Sequence, residues 1–188
     1  MDYIKRTKQR FDELARSHAW RHTELTPGMV VRFTTMLLGE RVLDLGSGAG
    51  RDTLTLKHYG VHAQGLDISE EMLAIAQQTV GEATFQKGDF RNLPYPDDMF
   101  DGIWANMSLL HLMKKDLPVA LAQVRRVLKD TGVLYASFLT GGEDGFVDDL
   151  YYAFYMLEEL HEIFKRAGFV IFDEVAGDGA VHLFARKK

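Results

Sequence analysis

Residues 41–53 read RVLDLGSGAGRDT, and the rest of the chain can be read outward from them. An apolar run, Val42-Leu43-Asp44-Leu45, leads into glycines at alternate positions, Gly46, Gly48 and Gly50. A helix-like segment, TLTLKHYG, follows. The order is strand, tight turn, helix. Glycine accepts positive φ and lets a ligand lie against bare backbone. Such a turn delivers the chain to a helix N-terminus, where the first N–H groups lack intrahelical partners and face outward.

Two phosphate-binding patterns do not fit. The dinucleotide turn requires G-x-G-x-x-G, and here Arg51 stands at the third glycine position. The Gly-Lys-Ser/Thr of a P-loop is also missing after Gly50. A second strand, VHAQGLD, closes with Asp67, seventeen residues after Gly50. In a nucleotide-binding βαβ unit an acid at this place accepts hydrogen bonds from ribose hydroxyls. A carboxylate suits the task because it offers several lone pairs. ISEEMLAIA then reads as a helix, with Ser69 as cap and Glu70 and Glu71 in the favourable first turn. A third strand, ATFQKGDF over 83–90, ends in Gly88-Asp89-Phe90. A fourth, Phe100 to Ala105, runs into Asn106, Met107 and Ser108. In open α/β sheets, ligands gather at such carboxyl ends.

Three phrases, DLGSGAG at 44–50, DISEEMLAIA at 67–76 and FDGIWA at 100–105, together resemble the class I S-adenosylmethionine-dependent methyltransferases. The resemblance covers about residues 40 to 188. It implies that Gly46, Ser47 and Gly48 approach the methionine part of S-adenosylmethionine and that Asp44 orients their loop or meets the amino group through it. By the same resemblance Asp67, with Ile68 beside it, holds the ribose. Asp89 accepts from the adenine amino group, Phe90 flanks the ring, and Asn106 lines the methionine or methyl-transfer end. An N-terminal aromatic-Asp-x-x-Ala-x-x-Tyr stretch covers the cofactor in many small members. This chain has FDELARSH, with His18 in place of the tyrosine. The [DN]-P-P-[YFW] phrase of the N6-adenine and glutamine enzymes is absent after the fourth strand, and a cytosine-C5 enzyme would need a cysteine that the chain lacks.

The remaining elements follow from pattern. Residues 2 to about 18 read as an amphipathic helix with Ile4, Phe11, Leu14, Ala15 and His18 on one face. A second helix is expected from Thr26-Pro27 to Gly39, with Val30, Phe33, Thr34, Leu37 and Leu38 inward. Asp116 is placed to cap a helix that buries Leu117, Ala120, Leu121, Val124 and Val127. The aromatic-rich stretch after Gly145 reads either as the wall of a substrate pocket, with Tyr152 in it, or as an amphipathic helix burying its rings. Its neighbours Asp144, Asp148 and Asp149 either draw a cationic substrate or solvate a face. His111 has a pKa range suited to a general base, but a satisfied structural histidine is the simpler reading. FVIFDEVAGD and AVHLFARKK form two final strands whose tight turn forces an antiparallel pair.

The expected architecture is an α/β three-layer, Rossmann-like sandwich over a single domain, 1–188. Its sheet order is 3-2-1-4-5-7-6, with strand 7 antiparallel, and segment 1–39 is expected over the cofactor site. Methyl transfer to a small-molecule acceptor is the function implied, by in-line displacement. The rivals are a non-catalytic nucleotide-binding adaptor and an NAD-dependent oxidoreductase; the terminal hairpin speaks against the second. A net charge of −5 disfavours a nucleic-acid partner. With no cysteine there is no disulfide framework or thiolate metal site, and no metal is expected. No long apolar run or signal-peptide pattern is visible, so the expectation is a cytoplasmic protein without membrane contact.

Overall fold

The computed structural model describes residues 2–17, 27–81, 83–177 and 179–188. Helices α1 (Tyr3–Ser17) and α2 (Pro27–Thr35) precede β1 (Arg41–Leu45), α3 (Arg51–His58), β2 (His62–Asp67), α4 (Glu70–Val80) and β3 (Phe85–Lys87). Then come β4 (Phe100–Ala105), a 3-10 turn at Leu109–His111, α5 (Leu117–Val127) and β5 (Leu128–Leu139). A small hairpin, β6 (Gly145–Val147) and β7 (Leu150–Tyr152), leads to α6 (Leu157–Arg166), β8 (Phe169–Gly177) and β9 (Ala180–Lys187).

Seven strands form one sheet in the order β3-β2-β1-β4-β5-β9-β8. The first five run parallel, and β9 is antiparallel to both β5 and β8. With the small β6–β7 hairpin set apart, this is the expected 3-2-1-4-5-7-6 order. Helices cover both faces, which explains the near-continuous burial of the central strands. On one face Val42, Trp104, Val133, Tyr135 and Phe184 pack under Val30 and Phe33 of α2 and Leu56 of α3. On the other, Leu43, Leu45, Ile103, Leu134 and Ala136 pack under α5 and α6. Trp104 and Tyr135 stack with centroids 3.8 Å apart, and Phe33 meets both edge-on.

Several local expectations change. Helix α2 ends at Thr35, four residues before Gly39, and Leu38 is exposed. Gly39 is small for another reason: a Cβ there would strike the Asp101 carboxylate, which accepts from Arg41 N (3.1 Å) and Lys129 Nζ (2.7 Å). The third strand is shorter than 83–90, because residues after Lys87 turn through the Asp89–Asn92 bridge. Ser69 caps α4 as expected, accepting from Met72 N at 3.1 Å. Asp116 starts α5 but makes no side-chain cap; its carboxylate instead takes the Tyr3 hydroxyl of α1. The stretch after Gly145 is a hairpin and not a helix. Its turn residues, Asp148 and Asp149, have φ of 46° and 66°, and short polar side chains tolerate that region best. Thr26 and His18 lie outside the described residues, as does Asp178 of the last turn.

Candidate active site

The carboxyl ends of β1, β2, β3 and β4 open onto a cavity of about 870 Å³. The loop from β1 to α3 forms its floor. Gly46 and Ser47 N–H both donate to the Leu66 carbonyl, at 2.8 and 3.0 Å, and Gly48 N–H donates to Asp67 Oδ2 at 2.9 Å. The loop is thereby fastened to the end of β2. Gly46 has φ 88°, and a Cβ there would collide with Ser108, so glycine is required twice over. Gly48 has φ 49° and nothing within 4 Å of a virtual Cβ; its bare backbone faces open cavity.

Asp67 is buried at the end of β2 with one oxygen on Gly48 N and the other on Ser69 N (2.8 Å). Burial pushes its carboxyl pKa up, while those backbone donors pull against that shift. Each oxygen keeps a lone pair for a ligand. Asp89 lines the cavity with both oxygens on the Arg91 guanidinium (2.7–3.1 Å) and Oδ1 also on Arg91 N (2.9 Å). Burial would raise its pKa, but these bonds outweigh it and hold the carboxyl below its ordinary value. Ile68, Phe90, Ser47 and Asn106 are also on the wall. Asp44 is not: it lies beneath the loop and accepts from Thr53 Oγ1 at 2.6 Å. Burial, and then the nearby Asp52 carboxylate, push its pKa well up.

His111 lies on the wall with Nδ1 2.9 Å from the Tyr151 carbonyl. A carbonyl only accepts, so Nδ1 carries the proton and Nε2 the lone pair. The ring meets Phe11 and Tyr152 edge-on at 5.3 and 4.9 Å. Burial lowers its pKa to about 4. Tyr152 lines the same cavity, supplied by β7. The acids near it are engaged elsewhere: Asp149 and Asp148 pair with Arg6 and Arg10 of α1, and Asp144 with Lys114.

Helix α1 forms the roof with Ile4, Thr7, Phe11 and Leu14. Its buried Asp12 accepts from Ser69 Oγ (2.6 Å) and Lys8 Nζ (2.7 Å) and so ties α1 to the start of α4. Three further wall hydroxyls, Thr7 Oγ1, Ser47 Oγ and Ser108 Oγ, are buried with no partner among the described residues.

The sequence reading missed a second polar cluster. Asp52 accepts from Arg51 Nε (3.0 Å), Trp104 Nε1 (2.9 Å) and Asn106 Nδ2 (2.8 Å). His182 of β9 stands on the wall with Nδ1 2.8 Å from Tyr135 Oη. An acid in the first turn after the glycine loop was a visible signal for Asp52. His182 had none, since only sheet register brings β9 to the cavity. Among the described residues no helix is long and apolar enough to cross a membrane, and no group of three or more His, Asp or Glu side chains is placed to hold a metal.

Residues 42–132 match a family model described as a methyltransferase domain. An uncharacterized methyltransferase of Bacillus subtilis is 34% identical over 110 residues, covering 56% of this chain and 43% of that protein. A malonyl-[acyl-carrier protein] O-methyltransferase of Erwinia pyrifoliae is 36% identical over 102 residues, 54% of this chain and 38% of its own length. The matches thus span less than half the length of these relatives. In fold, the chain is similar to the Burkholderia thailandensis 1,6-didemethyltoxoflavin-N1-methyltransferase, solved with bound 1,6-didemethyltoxoflavin and S-adenosylhomocysteine. The TM-score is 0.83 at 22% identity, over 99% of this chain and 89% of that one.

Proposed function

We propose that this chain, which belongs to the class I S-adenosylmethionine-dependent methyltransferases, binds S-adenosylmethionine in the cavity and transfers its methyl group to a small-molecule acceptor. The observation that carries this reading is the convergence on one cavity of the Gly46–Gly48 backbone, Asp67 and Asp89. The residues fit the cofactor's chemistry. Gly46 and Gly48 allow close approach of the methionine part, with Ser47 and Ser108 beside them. Asp67 keeps lone pairs for both ribose hydroxyls, and Asp44 braces the loop through Thr53. Asp89, oriented by Arg91, accepts from the adenine amine, and Phe90 supplies an apolar face.

When bound, S-adenosylmethionine supplies a methyl carbon already activated on a sulfonium, so in-line attack by the acceptor forms the new bond as the carbon–sulfur bond releases its electron pair to sulfur. The protein's share is alignment and exclusion of water. Helix α1 and the β6–β7 hairpin supply the covering walls through Phe11 and Tyr152, and β8 and β9 supply Val175, Ala176 and Ala180. Cofactor and acceptor share one space of about 870 Å³, which favours a small acceptor over a macromolecule.

Calorimetric titration with S-adenosylmethionine, S-adenosylhomocysteine and NAD tests the cofactor, and a mass-spectrometric screen of phenols, N-heterocycles, carboxylic acids and amines tests the transfer. Binding of the first two without NAD, followed by a mass gain of one methyl on a small acceptor, is the expected result. Binding of NAD alone would overturn the reading. Cofactor binding without turnover on any class would favour the adaptor alternative.

A further inference from the structure

We propose that His182 takes the proton from the methyl acceptor, which therefore arrives as a protonated hydroxyl or ring N–H and not as a carboxylate. The inference rests on the methyl-transfer reading above. Register places His182: it pairs with Ser137 on β5 and Val175 on β8, at the carboxyl end of β5. Its imidazole lies on the cavity wall and stacks on Tyr135, with centroids 6.0 Å apart and planes at 20°.

A directed chain of hydrogen bonds stands behind this ring. Met107 N–H donates to Ser137 Oγ (2.7 Å), so the Ser137 hydroxyl donates onward to Asn106 Oδ1 (2.9 Å). Asn106 Nδ2 donates to Asp52 Oδ2 (2.8 Å), which fixes the amide with its oxygen toward β5. The Tyr135 hydroxyl donates to that same oxygen at 3.3 Å. That hydroxyl has one proton and a second neighbour, His182 Nδ1 at 2.8 Å; in the proposed scheme the proton points at Asn106, and Nδ1 donates to the hydroxyl oxygen. Nε2 is left with the lone pair. Asp52, Asn106 and Tyr135 are positioning residues in this scheme, and His182 is the catalytic one.

The step balances simply. The acceptor's O–H or N–H bond breaks, its electron pair stays on the attacking atom, and the proton forms an N–H bond at Nε2. Water later removes that proton. His111 also presents Nε2, but among the described residues a backbone carbonyl is what stands behind it, and its ring is held between aromatic edges. Burial takes it to about 4, too weak to hold an acceptor's proton near neutrality. Burial also lowers the pKa of His182, which keeps its lone pair free at pH 7. Among the described residues, the titratable and charged groups that touch its ring or share its cavity are Tyr135 on β5, the Asp52–Arg51 pair on α3, and Asp67, Asp89, His111 and Tyr152 on the wall.

The tautomer can be read without turnover, by long-range ¹⁵N–¹H correlation of the histidine rings at pH 7–8 in the full chain. His182 should show a protonated Nδ1 and a bare Nε2. Tyr135→Phe should move the proton to Nε2, the form favoured by free imidazole. A wild-type His182 protonated at Nε2 would overturn the proposal. His182→Asn keeps a donor toward Tyr135 and removes the base. It should leave S-adenosylhomocysteine affinity within about twofold while slowing transfer to a phenol or ring N–H acceptor by roughly 10²–10⁴-fold. An equal loss of S-adenosylhomocysteine affinity would make His182 a binding residue and sink the idea. Failure of S-adenosylmethionine to bind wild-type protein would remove the underlying reading instead, so the two failures are distinguishable.

Discussion

Asp67 does two jobs, and a substitution there touches both. It closes the glycine loop through Gly48 and Ser69 N–H, and it presents its remaining lone pairs to the cavity. Two hydrogen bonds to a charged acceptor are worth roughly 1.5–3 kcal/mol each. Asp67→Ala should therefore weaken S-adenosylmethionine binding by about 100-fold or more, measured calorimetrically. Unchanged affinity would show that the ribose is held elsewhere. The alanine also strands two backbone donors, so the unfolding midpoint should fall with it; Asp67→Asn, which keeps one acceptor, should lose less of both. His111 makes a residue-scale prediction in pH. Its folded pKa, about 4, lies below the ordinary 6.5, so the unfolded chain binds the proton more readily. Its contribution is complete above pH 6.5 and is lost as pH falls from there toward 4. The full shift corresponds to about 3 kcal/mol. Urea unfolding at pH 7.5 and 4.5 should show a stability loss that shrinks in His111→Asn, which keeps a donor for the Tyr151 carbonyl. An undiminished loss would assign the acid sensitivity to other groups.

At the scale of elements, α1 is joined to the fold by polar ties as well as by apolar contacts of Phe11, Leu14 and Ala15 with Ala49, Met72 and Ile75. Its fully buried positions are Tyr3, Thr7, Asp12 and Ala15, while Ile4, Phe11 and Leu14 are only partly covered and face the cavity. Periodicity found the helix and its apolar face but not Asp12, because a buried Asp is readable only once Ser69 stands opposite. The ion pairs Arg6–Asp149, Arg10–Asp148 and Arg16–Glu71 involve exposed groups and are screened by salt. The Asp12–Ser69 contact is buried and persists. Asp12→Ala leaves the Ser69 hydroxyl proton without its acceptor, at about 1–3 kcal/mol. Amide exchange in α1 should then rise by roughly 5- to 100-fold, with β1, β4 and β5 unchanged, and cofactor affinity should drop as the roof loosens. Faster exchange in α1 with full affinity would mean that the roof does not close the site. The β6–β7 hairpin was illegible for a related reason. Asp148-Asp149 lacks the Asn-Gly signature of a two-residue turn, and the flanking rings suit a helix face or a strand equally well.

For the molecule as a whole, what was legible is what a parallel sheet writes locally. Val42, Leu43 and Leu45 are all buried although they face opposite sides, so β1 reads as one apolar run. Asp67 and Asp89 stand at strand ends, and a short turn before Ala180 dictates the antiparallel β8–β9 pair. The part of the site that was not legible depends on pairings between distant segments. Asp52 matters because Trp104 and Asn106 of the neighbouring strand end reach it, and His182 because β9 lies against β5. Composition and spacing do not carry such pairings. The site they build sits between the sheet, α1 and the last hairpin, so a ligand in it should tighten the whole fold. A ligand that binds only the folded state adds about 2.7 kcal/mol at a hundred times its dissociation constant. For a chain of 188 residues each kcal/mol moves the unfolding midpoint by about 2–4 °C. Saturating S-adenosylmethionine or S-adenosylhomocysteine should accordingly raise the midpoint by roughly 5–10 °C. NAD at the same concentration should leave it in place, since the loop that would cradle a pyrophosphate has Arg51 where the third glycine belongs. A matching rise with NAD would mean that the cavity recognises adenosine alone. In that case the Gly46–Gly48 floor would have no part in choosing the ligand.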